Sequence, residues 1–193
     1  MASFSYLFKF ILVGDAGVGK SNILSQFIQN RFRNEYDLTV GVEFGSKIVN
    51  IEDETIKLQI WDTAGQSSFK NITRGCFRNM ICAFLVYNTA SRDSFTNIPA
   101  WLSELRELGN NNMVIILVGN KIDQEEKRVV STEEGILLAE QNNLFFIETS
   151  AQARRNIDET FMTAVMHIYE NIQKGKYDLS NEQCGIKVGK KLE

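Results

Sequence analysis

An apolar stretch that leads directly into a glycine-rich loop constrains the fold of this chain most. Leu7–Val13 has one polar residue and is followed by G-D-A-G-V-G-K-S, from Gly14 to Ser21. A helical pattern, Asn22–Gln29, comes next. The pattern G-x-x-x-x-G-K-[ST] between a strand and a helix is typical of a loop that wraps around phosphate groups. The chain is therefore expected to fold with a strand and a helix that meet at this loop.

The rest of the chain predicts an α/β fold. Apolar runs predict strands buried on both faces of a parallel sheet: Leu7–Val13, Ile81–Tyr87, Met113–Val118 and Leu144–Ile147. Val42–Asn50 and the alternating segment Ile56–Ile60 predict a hairpin that adds an antiparallel strand at one edge. Because helical patterns separate the strands, we expect a six-stranded, mostly parallel sheet with helices on both faces. Together with the glycine-rich loop, this predicts the P-loop NTPase fold.

Local signals predict helix boundaries and the end of the domain. Pro99 is expected to kink or interrupt the helical segment around it, and Ser131 with Glu134 predicts a capping box. Residues 1–174 are expected to form the folded domain. The polar, irregular residues 175–193 are expected to form a flexible, truncated tail.

Composition argues against several classes of protein. The 193 residues, 44% of them hydrophobic, suit one globular domain, and the net charge of −3 argues against a nucleic-acid partner. The single histidine, His167, lies far from every motif, so a histidine triad is excluded and a partly buried helix residue is expected. The three cysteines lack metal-ligand spacing and indicate a reducing compartment. Neither a signal peptide nor a membrane span is expected.

The glycine-rich loop supplies the residue types that phosphates and Mg²⁺ require. Glycines let backbone N–H groups converge on phosphate oxygens, and the helix N-terminus adds partial positive charge. The Lys20 ammonium is predicted to reach the β- and γ-phosphates and to act in catalysis, while the Ser21 hydroxyl suits Mg²⁺. The alternative is an ordinary glycine-rich turn. The predicted phosphate contacts are Asp15, Ala16, Gly17, Val18, Gly19, Lys20, Ser21 and Gly65.

A second element of the phosphate site follows the hairpin in W-D-T-A-G-Q. Asp62 is predicted to hold Mg²⁺ through a water molecule, and the Gly65 N–H to contact the γ-phosphate. Gln66 is placed to orient the attacking water. The pattern D-x-x-G by itself is usually a surface turn, so its position at the end of a strand carries the prediction.

The sequence N-K-I-D, from Asn120 to Asp123, predicts recognition of guanine. Guanine presents two adjacent donors and an ionised aspartate only accepts, so Asp123 favours guanine over adenine. Asn120 is expected to tie this loop to the phosphate loop, and Lys121 to lie along the purine face. The backbone N–H groups of Ser150 and Ala151, in E-T-S-A, are predicted to donate to the guanine carbonyl oxygen. The alternative is a polar loop between a strand and a helix.

These motifs, in this order, resemble the Ras superfamily, and the segments between them are similar to the Rab family. T-V-G-V-E-F-G (Thr39–Gly45) and F-x-x-I-T-R (Phe69–Arg74) carry the resemblance. It implies that Thr39 ligates Mg²⁺ in the GTP state, with Phe32 against the base and Tyr36 over the phosphates. The implied base and ribose contacts are Asn22, Phe32, Tyr36, Asn120, Lys121, Asp123, Ser150, Ala151 and Gln152.

The resemblance implies a small GTPase switch that binds GTP and GDP with Mg²⁺ and hydrolyses GTP slowly. Its partners would be an exchange factor, a GTPase-activating protein, a GDP-dissociation inhibitor and GTP-state effectors, and it would be a monomer. Y-L-F-K-F and N-E-Q-C-G-I-K-V-G are most similar to Rab subfamily two, which acts in vesicle traffic between the endoplasmic reticulum and the Golgi. The expected location is the cytosolic face of endomembranes, in exchange with the cytosol.

Rabs generally carry prenylated C-terminal cysteines. Here the last residues are G-K-K-L-E, and Cys184 is the tenth residue from the end. We therefore expect this chain to lack the lipid anchor and the native protein to continue into a longer, lipid-bearing C-terminus.

Several positions depart from the Rab pattern. The implied effector surface is Phe44, Trp61 and Cys76, where Cys76 stands in place of an aromatic residue and predicts a shallower patch. Phe77 either replaces part of the lost ring or belongs to the core. Further departures are Ser67, Asn88 and Gln152. Three arginines near the switch segments are interpreted as surface residues: Arg31, Arg33 and Arg74. No arginine finger is therefore evident within the chain.

Two other functions compete with a cycling switch. The presence of Thr39, Asp62 and Gln66 argues against a nucleotide-locked interaction module, since such a module does not need Gln66. A small-molecule phosphotransferase would need a basic segment that closes over the phosphate loop, and the sequence shows none; Asp123 also disfavours this function.

Overall fold

The computed structural model describes residues 4–34, 39, 41–65 and 70–189. Strands and helices alternate along most of this chain. The strands are β1 (Tyr6–Val13), β2 (Val42–Ile51), β3 (Glu54–Thr63), β4 (Cys82–Asn88), β5 (Val114–Asn120), β6 (Phe145–Thr149) and β7 (Ile186–Val188). The helices are α1 (Lys20–Gln29), α2 (Lys70–Cys76), α3 (Arg92–Thr96), α4 (Ile98–Leu108), α5 (Thr132–Gln141) and α6 (Ile157–Gln173). Short 3₁₀ turns occupy Phe77–Asn79, Glu125–Lys127 and Glu182–Cys184.

The sheet confirms the predicted α/β class. Its strand order is β2-β3-β1-β4-β5-β6, and β1, β3, β4, β5 and β6 are parallel to one another. β2 is antiparallel to β3 and lies at the edge, as the hairpin pattern predicts. The carboxyl ends of the parallel strands therefore meet at one edge of the sheet, next to the start of α1.

Helices cover both faces of the sheet, and the alternation of side chains along β1 shows why. Phe8, Phe10 and Leu12 belong to a buried cluster with α1 and α6. Ile11 and Val13 belong to a second cluster with α4 and α5. Successive strand residues point to opposite faces, so an apolar run of this kind is stable only when both faces are covered.

The prediction of a flexible tail is wrong for residues 175–189, because this segment includes a strand of the sheet. β7 pairs antiparallel with residues 6–8 of β1 and so adds a seventh strand. The pairing of β1 with β4 begins further along the strand, at Phe10. Ile186 is 1% exposed, and Tyr177 packs in the same cluster as α1 and α6. The N–H of Lys9 donates to the carbonyl of Gly185 at 2.9 Å. This strand satisfies backbone groups of β1 that β4 does not reach.

The helix boundaries follow the local chemistry. Pro99 lies in the first turn of α4, where proline is tolerated because its missing N–H has no helical partner, and the shorter α3 precedes it. Ser131 and Glu134 form the predicted capping box at the start of α5. His167 lies on α6 with its ring edge-on to Phe145, 4.8 Å between centroids. Among the described residues, no helix is both long and apolar enough to cross a membrane.

Candidate functional site

A cavity of about 340 Å³ opens at the edge where the carboxyl ends of the parallel strands meet α1. It brings together most of the residues that the sequence assigned to one site: Ala16, Gly17, Gly19, Lys20, Ser21, Asn22, Phe32, Thr39, Gly65, Asn120, Lys121, Asp123, Ala151 and Gln152. Four other predicted residues contact this set without lining the cavity: Asp15, Val18, Asp62 and Ser150. Tyr36 and Gln66 lie outside the described residues.

Glycines are required where the loop and its neighbours approach closely. Gly19 has φ +103°, and a Cβ there would lie 2.3 Å from the Asn120 side-chain nitrogen. A Cβ on Gly65 would lie 2.3 Å from the backbone nitrogen of Ala16. The peptide of Gly65 therefore packs directly against the glycine-rich loop, which only a residue without a side chain permits.

Lys20 is held inside the glycine-rich loop. Its ammonium donates to the carbonyl oxygens of Gly14 and Asp15, each at 2.8 Å, and the side chain is 6% exposed. Burial lowers the pKa of Lys20 to about 8, although the carboxylates of Asp62 and Asp15 act in the opposite direction. A cation that is poorly solvated in this way is available to an anionic ligand at short range.

Three oxygen-bearing side chains meet beside the loop. The Ser21 hydroxyl lies 2.8 Å from the Thr39 hydroxyl and also donates to Asp62. Burial raises the pKa of Asp62 to about 6, and the hydrogen bond from Ser21 and the charge of Lys20 partly offset this. The second carboxylate oxygen of Asp62 is buried and has no hydrogen-bond partner among the described residues. Hydroxyl and carboxylate oxygens are the ligands that Mg²⁺ prefers, so this group of residues fits that ion.

Asn120 connects the base-side loops to the glycine-rich loop. Its amide nitrogen donates to the carbonyl of Val18 at 2.9 Å. Its oxygen accepts from the Thr149 hydroxyl at 3.1 Å and from the Ala151 N–H at 3.3 Å. The contact expected between Asn120 and the phosphate loop is thus present, and it lies in a buried environment where an unpaired polar group is costly.

Asp123 and Lys121 also line the cavity. The Ser150 hydroxyl donates to Asp123 at 2.5 Å and accepts from the Ala153 N–H at 2.9 Å, so it orients the carboxylate. The Lys121 ammonium donates to the Gly17 carbonyl at 2.7 Å, which lays its stem across the cavity. Burial lowers the pKa of Lys121, and Asp123 opposes that shift.

The structure corrects one role predicted for Ser150. The Ser150 N–H, expected to face the guanine carbonyl, instead donates to the Arg155 carbonyl at 3.1 Å in a short β-bridge. Ser150 acts through its side chain. The Asn22 amide pairs with the backbone of Arg33, and Asn22 also lines the cavity, so its contact with the base or ribose stays a prediction.

Three supporting hydrogen bonds and one cavity-lining residue were not predicted from the sequence. The Gln26 amide donates to the Ala151 carbonyl at 2.7 Å. The Asp15 carboxylate accepts from Asn97 at 2.7 Å and from the Trp101 indole N–H at 2.8 Å, which ties the loop to the start of α4. Arg33, read from the sequence as a surface residue, is exposed but also lines the cavity. These partners are distant in sequence, and no motif marks them.

The predicted effector surface is only partly aromatic. Phe44 is 56% exposed and meets Trp61 edge-on, 5.2 Å between ring centroids. Cys76, the last residue of α2, is partly buried, whereas Phe77 is completely buried in the cluster with α4. Phe77 therefore belongs to the core and does not restore an aromatic surface at this position.

A glycine-rich strand–loop–helix cradle, a buried lysine and a second loop with an oriented aspartate define a nucleotide-binding protein of the P-loop class. Residues 9–170 match the family model described as the Ras family. This match spans most of the chain, and the protein belongs to the Ras family of small GTPases. GTP hydrolysis and guanine-nucleotide binding are the general activities of that family.

Proposed function

We propose that this protein is a Mg²⁺-dependent switch that binds GTP and GDP, hydrolyses GTP slowly and binds its effectors in the GTP state. The observation that carries the proposal is the meeting of Ser21, Thr39 and Asp62 beside the glycine-rich loop. Their oxygens converge beside the loop, and one oxygen of Asp62 is buried and unpaired among the described residues, although the charge of Lys20 also acts on this carboxylate. A divalent cation with a preference for oxygen satisfies this arrangement.

Each described residue then has a defined task. Ser21 and Thr39 present hydroxyl oxygens to Mg²⁺, and Asp62 acts through a water molecule. The bound ion supplies charge neutralisation on the β- and γ-phosphate oxygens. Lys20 exchanges its loop carbonyls for phosphate oxygens, and the Gly65 N–H donates to the γ-phosphate. Asp123, oriented by Ser150, accepts from the two guanine donors.

Switching follows from the position of Thr39 and Gly65. Both lie on segments that flank β2 and β3 rather than inside the sheet, so the γ-phosphate can hold them and its loss can release them. Intrinsic turnover is proposed to be slow, on the order of 10⁻⁴–10⁻² s⁻¹, because Gln66 orients the water, while Arg33, which lines the cavity, is exposed and lies 3.9 Å from Glu43.

The cellular role that we propose is of the Rab type, in vesicle traffic between the endoplasmic reticulum and the Golgi. The support is the resemblance of Thr39–Gly45 and Phe69–Arg74 to Rab segments and of the chain ends to Rab subfamily two. The proposed partners are an exchange factor, a GTPase-activating protein, a GDP-dissociation inhibitor and effectors. A C-terminal prenyl group would hold the native protein on the cytosolic face of these membranes.

Single-turnover hydrolysis of GTP tests the switch. The purified protein, loaded with GTP in Mg²⁺, is expected to convert one equivalent to GDP at the slow rate given above, and Gln66→Leu is expected to be slower still while GTP binding is retained. Thr39→Ala is the matched variant in the segment before β2, and it is expected to weaken GTP binding more than GDP binding. A wild-type protein that binds GTP but leaves it intact would support a nucleotide-locked module and overturn the proposed cycle.

A further inference from the structure

The side-chain amide of Asn22 pairs with both backbone polar groups of one residue on another segment. Its oxygen accepts from the Arg33 N–H at 2.9 Å, and its nitrogen donates to the Arg33 carbonyl at 3.1 Å. The two residues are eleven positions apart. Asparagine presents a donor and an acceptor at this reach, whereas aspartate has no donor and serine has neither the reach nor a second group.

The segment that receives this clamp has little else to hold its backbone. Residues 31–34 lie outside regular secondary structure, and within the described chain their backbone forms no hydrogen bond besides the two with Asn22. The Arg33 guanidinium lies 3.9 Å from Glu43, but both side chains are about half exposed, so this pair holds the segment weakly.

The clamped segment forms one wall of the nucleotide cavity. Phe32 precedes Arg33, lines the cavity and packs against the core cluster that includes α1. The wall therefore rests on the Phe32 ring and on the two hydrogen bonds from Asn22. Because Asn22 is on α1 (Lys20–Gln29), the same helix fixes both the phosphate loop and this wall.

We infer that Asn22 is a positioning residue that slows nucleotide release by clamping the segment that carries Phe32. The inference rests on the proposed guanine-nucleotide site. Movement of this wall opens a path for the nucleotide, and the two hydrogen bonds between Asn22 and the backbone of Arg33 must break before the segment can move. The amide acts on the wall and needs no contact with the nucleotide.

Release of a fluorescent GDP derivative, chased with excess unlabelled GDP in Mg²⁺, tests the inference. Asn22→Ala is expected to release nucleotide about five- to twentyfold faster than the wild type, with an unchanged association rate. Alanine favours the helix more than asparagine, so the fold and the thermal midpoint of unfolding are expected to hold. Gln29→Ala, exposed on the same helix, is the control and is expected to release at the wild-type rate.

A double-mutant cycle separates a clamp on the wall from a general effect on stability. In a Phe32→Leu background the wall is already weakened, and Asn22→Ala is expected to add less than about a threefold increase. Equal acceleration in both backgrounds would overturn the inference, as would a wild-type release rate in Asn22→Ala. A wild-type protein that binds no GDP would instead contradict the proposed function, and that failure is seen before any variant is compared.

Discussion

Replacement of Asn120 by alanine is expected to weaken nucleotide binding strongly without unfolding the protein. Asn120 is 1% exposed and joins the carbonyl of Val18 to the N–H of Ala151 and the hydroxyl of Thr149. The alanine variant leaves two buried backbone groups, Val18 C=O and Ala151 N–H, without this partner. Each unpaired buried group costs about 1–2 kcal/mol, so the total is about 2–4 kcal/mol.

This loss of free energy is expected to destabilise the nucleotide complex, because the two loops must be held together when the base and the phosphates are bound. At about 1.4 kcal/mol per factor of ten, the dissociation constant for GDP rises roughly 30- to 700-fold. The measurement is a fluorescence titration with labelled GDP in Mg²⁺, with circular dichroism to check that the helix content is unchanged.

Thr149→Val is the matched variant for Asn120→Ala. Thr149→Val removes the hydroxyl contact and leaves the bond from Asn120 to Val18, so GDP binding is expected to weaken less than about tenfold. If Asn120→Ala is folded and binds GDP within threefold of the wild type, the amide does not hold the site together and the reasoning is refuted.

Three further predictions concern the phosphate, the base and the effector surface. Burial lowers the pKa of Lys20 to about 8, and bound phosphates raise it again, so GDP binding takes up a proton above that pH. The affinity for GDP is therefore expected to fall as pH rises above about 8, by up to about tenfold per pH unit. Lys20→Arg is expected to remove this pH dependence in a series of titrations, and a dependence that persists would exclude Lys20 as its cause. Asp123→Asn is expected to weaken guanine nucleotides and to improve xanthine nucleotides, and an unchanged base preference in competition binding would remove Asp123 from the site. Cys76→Tyr is expected to tighten binding of effectors of the resembled Rab subfamily by about 1–2 kcal/mol in the GTP state, whereas equal affinities by calorimetry would place Cys76 outside the recognition surface.

The features predictable from the sequence are those in which several neighbouring residues report the same physical constraint. β1 and the loop after it combine an apolar run with glycines and a lysine at fixed spacing, which specifies the strand, the loop and the start of α1 together. The antiparallel edge strand follows from the hairpin pattern before β3. The contact of Asn120 with the phosphate loop is consistent with the sheet, because β1 and β5 are parallel and their carboxyl ends lie at the same edge.

The features that escaped prediction depend on single contacts between distant segments. β7 has three residues, of which Ile186 is buried, so its pattern is too short to separate it from a polar tail. The bridge that occupies the Ser150 N–H depends on the turn that returns Arg155 to the same strand end. The pairing of Asn22 with Arg33 requires the three-dimensional path of the segment after α1, which no periodicity in the sequence encodes.

The nucleotide that remains with the protein after purification tests the central claim most directly. The protein is purified in Mg²⁺, denatured, and its small molecules are separated by chromatography against nucleotide standards, with a parallel sample treated first with EDTA and desalted. The account predicts about one equivalent of guanine nucleotide, lost from the EDTA sample because Ser21 and Asp62, joined by Thr39 in the GTP state, hold it through the metal. Bound adenine nucleotide, or guanine nucleotide that EDTA does not release, would contradict it.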